Sequence, residues 1–256
     1  MAGSLDGKVV LVAGVGKGLG TATVALLASE GARVIAVARH GTALSPLEAH
    51  ARHRNWNVEI RTANLFDATE VDRLVHDAVE EFGGLDAASV NVGHWVPGET
   101  ALHRMSADEW SSGLRDNLDA IYLVGRAAIP HFLQRGRGSL VVVSAALAVR
   151  WAGSAAYCAA KGGIVDLVPK LARDYRATGI RVNAVLPGSM SGSLEQLDPP
   201  PRDPSVVLTD QTRTSPWEVA RAIRYFVSDE SRWVTGAVLT VDGGASTFGS
   251  EPGASP

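Results

Sequence analysis

Seven short runs rich in valine, leucine and isoleucine, at residues 9–13, 33–38, 58–61, 85–90, 140–143, 181–186 and 237–241, constrain this chain more than any other feature. Each is too short for a helix, and most lack the polar alternation of a strand with one wet face, so they read as strands buried on both sides. Stretches with helical spacing lie between them, at 19–30, 42–54, 68–82, 106–134, 154–178 and 216–227. The fourth opens on Ser106-Ala-Asp-Glu109, a hydroxyl and a carboxylate spaced to cap each other's end of a first turn. Strand alternating with helix implies βαβ units, right-handed crossovers and a parallel sheet covered on both faces. The 256 residues are therefore expected to form a single α/β, doubly wound domain with a seven-stranded parallel sheet. One long loop-like stretch, 188–216, carries Pro199-Pro200-Pro201 and reads as a lid or a disordered segment, and the tail from 245 to 256 is expected to fray.

Composition removes several function classes. A formal charge of −3 leaves no basic excess to neutralise phosphates, which argues against nucleic acid as a partner. A single cysteine excludes an intrachain disulfide and a multi-cysteine metal site, so no metal is expected and a reducing, cytoplasmic setting is the default. No apolar run reaches the ~18 residues of a membrane span.

After the first strand comes Gly14-Val-Gly16-Lys17-Gly18-Leu19-Gly20 and then a helix. Glycines there let backbone approach a pyrophosphate at a helix N-terminus, although a tight strand-to-helix turn needs glycines too. A dinucleotide site usually places an acid on the ribose hydroxyls ~20 residues later. Here no acidic residue occurs between Gly31 and Leu47, and the second strand ends in Ala38-Arg39-His40. Arg39 can grip a 2′-phosphate bidentately and Lys17 can reach it as a point charge, so the pattern favours NADP over NAD; the alternative is that both are ordinary solvated cations. Arg52-His53-Arg54 reads as a set of cations on a helix C-terminus.

Tyr157 and Lys161 stand four apart in a helical stretch and so share a face. A fixed ammonium beside a phenol favours the phenolate and turns tyrosine into a usable general acid or base, although such pairs also occur on solvated helix faces. Ser144 closes the strand 140–143 at the edge where open α/β sheets place ligands, and Asn117 puts a polar amide among Leu114, Leu118 and Ile121.

Together these residues resemble the short-chain dehydrogenase/reductase family, over almost the whole chain from Gly7 to about Gly244. Ala13 through Gly20 is similar to its glycine motif, Asn91-Val-Gly93 to the end of its Asn-Asn-Ala-Gly motif, and Asn117, Ser144, Tyr157 and Lys161 to its catalytic tetrad. Pro187-Gly188, Thr235-Gly236 and Val241-Asp242-Gly243-Gly244 are similar to its C-terminal marks. Four positions depart from the pattern. Ala13 lacks the hydroxyl that ties the glycine turn to the Asn91 strand, Asn64 stands where an aspartate often meets adenine, Gly192 replaces a threonine, and Pro169 falls inside the catalytic helix.

The resemblance implies a Rossmann-type fold and hydride transfer between NADP(H) and a small-molecule carbonyl or secondary alcohol, as in a ketoreductase. It implies that Tyr157 exchanges the proton, Ser144 hydrogen-bonds the same oxygen, Lys161 lowers the tyrosine pKa and holds the nicotinamide ribose, and Asn117 supports a water chain to Lys161. Cofactor contacts are expected from Gly14, Gly16, Lys17, Gly18, Leu19, Gly20, Arg39, His40, Asn64, Leu65, Asn91, Gly93, Tyr157, Lys161, Pro187, Gly188 and Met190. The substrate pocket is expected at His94, Trp95, Val149, Trp151 and Ser154, closed by a loop at 188–214, with apolar or ring-bearing substrates favoured. Family members assemble as tetramers or dimers through the helices here at 106–134 and 154–178 and the last strand. Two other readings stay open, an NADP(H)-sensing regulator without turnover and an NAD-dependent alcohol or polyol dehydrogenase.

Overall fold

The computed structural model describes residues 4–98, 100–190, 194–201, 203, 205, 206, 208 and 213–246. Gly192 and the tail from 247 onward lie outside the described residues. Seven strands form one parallel sheet in the order β3-β2-β1-β4-β5-β6-β7: β1 (Val9–Ala13), β2 (Arg33–Ala38), β3 (Val58–Thr62), β4 (Ala87–Val90), β5 (Gly138–Val143), β6 (Ile180–Pro187) and β7 (Val238–Val241). The helices are α1 (Leu19–Ser29), α2 (Ser45–His53), α3 (Ala68–Phe82), α4 (Ala107–Leu114), α5 (Ala120–Arg135), α6 (Leu147–Ala152), α7 (Ala155–Tyr175) and α8 (Pro216–Val227).

The lack of polar alternation in the strands has its explanation in two cores. Leu11, Ile35 and Val37 face one side and pack with Val71 and Leu74 of α3, Val124 and Phe132 of α5, and Ile164 of α7. Val10, Val12 and Val34 face the other and pack with Val24 and Leu27 of α1, Leu47 of α2, and Val219 and Ile223 of α8. Both faces are thus dry over β1, β2, β4, β5 and β6, as in parallel sheets generally, while the edge strands β3 and β7 are only partly covered.

The chain runs outward from β1 to β3 and then returns to place β4 on the other side of β1. That reversal opens a crevice beyond the carboxyl ends of β1 and β4, where doubly wound sheets bind their ligands.

Two helices depart from the expected outline. The stretch 106–134 begins with the Ser106–Glu109 capping box but is interrupted by a π-helical turn at Arg115–Asp119 before α5 resumes. The short α6 falls in a segment without helical spacing signals, between Ser144 and Tyr157. Pro169 is accommodated on the exposed side of α7, which continues to Tyr175.

Candidate active site

The crevice is a cleft of about 1310 Å³, larger than the ~300–1,000 Å³ of ordinary small-molecule sites. Its first wall is the glycine loop. Gly14 adopts φ +93°, and a Cβ there would stand 2.8 Å from the Val92 side chain; at Gly20 it would stand 2.6 Å from Val15 Cα. Glycine at these two places lets the loop pack on its neighbours, whereas a Cβ on Gly16 meets nothing within 4 Å because that residue faces open cleft. Helix α1 starts behind the loop with no side-chain cap and no acid in its first turn. Its free N–H groups and dipole suit the pyrophosphate of a dinucleotide, so the residues present fit that group.

Ala13 leaves the glycine turn without the family hydroxyl, and the tie is made otherwise. Asn91 N–H donates to the Ala13 carbonyl at 2.8 Å, and Asn91 Nδ2 donates to Thr23 Oγ1 on α1 at 3.4 Å, while Ser89 Oγ holds Asn91 Oδ1 at 2.8 Å. A buried threonine one turn into α1 thus links strand β4 to the glycine-loop helix.

The second wall carries the titratable groups. Ser154 caps α7, accepting the Tyr157 N–H on its Oγ at 3.2 Å, and thereby sets where the helix begins. The loop after β4 is zipped to the same turn, since Ser154 N–H donates to the Val96 carbonyl at 2.9 Å and Gly98 N–H to the Ala152 carbonyl at 3.1 Å. This pairing brings His94 and Trp95 to the cleft together with Ser144, Val149, Tyr157 and Lys161. Ser144 Oγ donates to the Lys161 carbonyl at 2.7 Å. Lys161 Nζ donates to the carbonyls of Val92 and Val143, each at 3.1 Å.

Burial dominates the electrostatics. It pushes the Tyr157 phenol up to about 12, with the Arg150 guanidinium pulling the other way, and it pulls the Lys161 ammonium down to about 8. The expected lowering of Tyr157 by Lys161 is not what this geometry produces, because the ammonium is turned onto two backbone carbonyls. At neutral pH the phenol is protonated and can give a proton rather than take one.

Most expected cofactor residues reach the cleft: Gly14, Gly16, Lys17, Gly18, Leu19, Gly20, Arg39, Asn64, Leu65, Asn91, Gly93, Tyr157, Lys161, Pro187, Gly188 and Met190. His40 does not line the cleft; it is exposed at the start of the turn leading to α2. Trp151 also stands away from the cleft, 72% exposed on the outer side of α6, and Ser154 is buried as the helix cap. Asn117 sits behind the wall. Its Oδ1 accepts from His94 N–H at 2.9 Å, and its Nδ2 donates to the carbonyls of His94 and Gly113, both at 3.0 Å. These three hydrogen bonds are all with backbone, so it braces the His94 loop.

Val15, Ala38, Phe66, Val92, Arg115, Asp116, Val143, Ala145 and Ser189 also line the cleft and were not singled out from the sequence. Most neighbour residues that were. Arg115 and Asp116 are different: the π-helical turn brings both to the wall, and such turns carry no clear sequence signature. The loop after β6 divides in two. Residues 188–190 line the cleft, tied by a Met190–Thr214 bridge, whereas 194–201 runs back over α1, α2 and α8. Among the described residues no group of three or more His, Cys, Asp or Glu could hold a metal, and no helix is long and apolar enough to cross a membrane.

The profile of a family described as enoyl-(acyl carrier protein) reductase matches residues 14–246. The chain is 32% identical over 243 residues to the 3-oxoacyl-[acyl-carrier-protein] reductase of Thermotoga maritima, covering 94% of this chain and 98% of that one. It is 36% identical over 245 residues to the cis-4-hydroxycyclohexanecarboxylate dehydrogenase of Sinomonas cyclohexanicum, covering 93% and 96%. A crystal structure of a short-chain dehydrogenase/reductase from Burkholderia xenovorans superposes with a TM-score of 0.84 at 30% identity, over 96% of this chain and 99% of that chain.

Proposed function

The chain is an oxidoreductase of the short-chain dehydrogenase/reductase family, and from that premise we propose that it works as a ketoreductase, transferring hydride between NADP(H) and a carbonyl or secondary alcohol. One observation carries the reading: the Tyr157 phenol, the Ser144 hydroxyl and the Lys161 ammonium line the same cleft as an uncapped helix N-terminus and its glycine loop. The dinucleotide, when bound, supplies or accepts the hydride. Gly14 to Gly20 would hold its pyrophosphate, Asn64 and Leu65 its adenine, and Lys161 a ribose.

Tyr157 donates its proton to the oxygen of the carbonyl as negative charge grows there. A phenol kept protonated by burial suits the reductive direction. Ser144 turns its hydroxyl from the Lys161 carbonyl to the same oxygen and shares that charge. Lys161, with its pKa brought near 8, can pass a proton on at neutral pH, so it serves as the reservoir that recharges Tyr157. Asn117 positions the His94 loop beside it.

Arg39 and Lys17 support a preference for NADP(H), since both line the cleft and are exposed, with no acid between residues 31 and 47 to claim a ribose. Trp95, Val149 and Met190 support an apolar or ring-bearing substrate, as does likeness to a dehydrogenase of a hydroxylated cyclohexane ring. We place the whole chain in one catalytic unit, in the cytoplasm, in keeping with its single free cysteine. Assembly as a homotetramer or homodimer is supported by the open edge of β7, where Leu239 is exposed, by Trp233, which is 95% exposed, and by exposed Tyr122 on α5. Following NADPH and NADH depletion over a panel of ketones, quinones and diketones tests the reading: turnover with NADPH is expected, and absence of turnover with both coenzymes opposes it.

A further inference from the structure

A second cleft, of about 410 Å³, opens at the amino ends of the strands, opposite the end that carries the coenzyme cleft. The residues that lead into β1, β4, β5 and β6 meet there, and the turn that follows α8 closes it. Charge sets it apart. Lys8, Arg135, Arg137, Arg181 and Arg232 line it against three carboxylates, in a chain whose formal charge is −3.

The carboxylates are already engaged. Asp86 Oδ2 accepts the Val9 N–H at 2.9 Å and its Oδ1 accepts from Arg135 at 3.0 Å, which leaves Arg137 a looser approach at 3.6 Å. Asp229 pairs with Lys8 at 2.8 Å. Asp6 turns toward Gly31, where a Cβ would stand 1.8 Å from its Oδ1. Three guanidiniums are left without a close carboxylate. Arg181 is fixed by neutral groups, its Nη1 donating to Ser231 Oγ at 2.8 Å and its Nη2 to the carbonyls of Phe226 and Ser228 at 2.8 and 3.2 Å. Arg137 is 70% exposed, and Arg232 is exposed and forms no ion pair among the described residues.

The backbone gathers these charges. Gly179, at φ +76°, lies so close to the chain entering β5 that a Cβ would stand 2.3 Å from the Gly136 carbonyl oxygen and 3.7 Å from Arg137 Cα. Arg137 is thereby pressed toward the start of β6, where Arg181 stands opposite Ser139. Asp229 registers the convergence. A hydrogen bond from Lys8 holds its carboxyl below the ordinary range, and against burial the charges of Lys8, Arg181 and Arg137 add to that.

Five cations against three carboxylates leave two positive charges over, which matches the roughly −1.5 to −2 of a phosphate monoester near neutral pH. Guanidiniums suit it, since each can give a phosphate two parallel N–H bonds. The volume also falls within the ~300–1,000 Å³ of small-molecule sites. We propose that this cleft binds a phosphate dianion, free or as the monoester of a small molecule, held by Arg137, Arg181 and Arg232. The two clefts share no lining residue, so the inference stands apart from the dinucleotide reading.

Titrating inorganic phosphate and glycerol 3-phosphate into the full chain, with sodium chloride at matched ionic strength as control, tests the site by melting temperature and calorimetry. Phosphate is expected to raise the melting temperature above the chloride control. Tighter binding of the ester would assign the site to a monoester, and equal affinities to the free ion. Arg137→Ala and Arg232→Ala should each weaken binding by about tenfold or more, because a charge-assisted contact is lost. Both side chains are exposed and far from the coenzyme cleft, so turnover and the melting temperature without phosphate should not fall. Arg39→Ala separates the two clefts, and phosphate binding should survive it. Binding lost in Arg39→Ala but kept in Arg137→Ala and Arg232→Ala would move the anion to the coenzyme cleft and overturn the proposal. Identical melting curves in phosphate and chloride would overturn it too.

Discussion

The Ser144 hydroxyl gives its only proton to the main-chain carbonyl of Lys161, 2.7 Å away, so the two groups that flank Tyr157 are hydrogen-bonded to each other through backbone. The bond fixes the end of β5 against the first turns of α7 and holds the hydroxyl one rotation from the cleft. Replacing Ser144 by alanine should cost stability by about 1 kcal/mol, the net worth of an ordinary hydrogen bond. Turnover should fall by about 10²–10³-fold, the loss typical of a missing donor at a developing oxyanion. Parallel melts and steady-state rates check this, and a large stability loss with little change in rate would reassign the residue to structure.

Lys161 makes stability depend on pH in a particular sense. Folding lowers its ammonium from 10.5 to about 8, so between those values the unfolded chain keeps a proton that the folded chain has released. Stability from this group is therefore lowest below pH 8 and rises as pH climbs. Tyr157 opposes it only above 10, where the folded phenol still holds a proton, up to about 12, that the unfolded chain has lost. Urea melts between pH 7 and 10 should show wild type gaining about 2–3 kcal/mol relative to Lys161→Met. Parallel curves would contradict burial as the cause.

Gly153 has φ −86°, ordinary for any residue, yet its side is closed: a Cβ there would stand 2.5 Å from Cδ1 of the Tyr157 ring. Gly153→Ala should push the phenol off its line and lower kcat by about 10²-fold, with NADPH affinity nearly kept. Comparing kcat with a direct binding titration separates displacement of the ring from collapse of the cleft.

Arg39→Ala should weaken NADPH by about 10-fold or more and leave NADH almost unchanged, since a charge-assisted contact to a phosphate exists only for the former. An unchanged ratio of the two affinities would remove the 2′-phosphate reading.

The parallel sheet and the position of the cleft were legible in the sequence because buried parallel strands leave continuous apolar runs and glycines mark the turn between β1 and α1. The Tyr157–Lys161 face was legible from helical spacing alone. What spacing could not reveal was orientation within the site. Whether an ammonium points at a phenol or at the carbonyls of Val92 and Val143 depends on where β4 and β5 end relative to α7. Nor could it place Arg115 and Asp116, which reach the cleft because the helix widens at that turn, or predict that Asp198 would fold back onto His50 and Arg54. Trp151 read as a pocket wall because it follows Ser144 closely, but the unanticipated α6 turns it outward.

Tyr157→Phe removes only the hydroxyl that would deliver the proton in carbonyl reduction, from a ring already packed against Gly153. NADPH oxidation with a carbonyl substrate that wild type turns over, run beside an NADPH binding titration, should show turnover reduced by about 10²–10⁴-fold with affinity within about twofold of wild type. Turnover close to wild type in the phenylalanine variant would contradict the account.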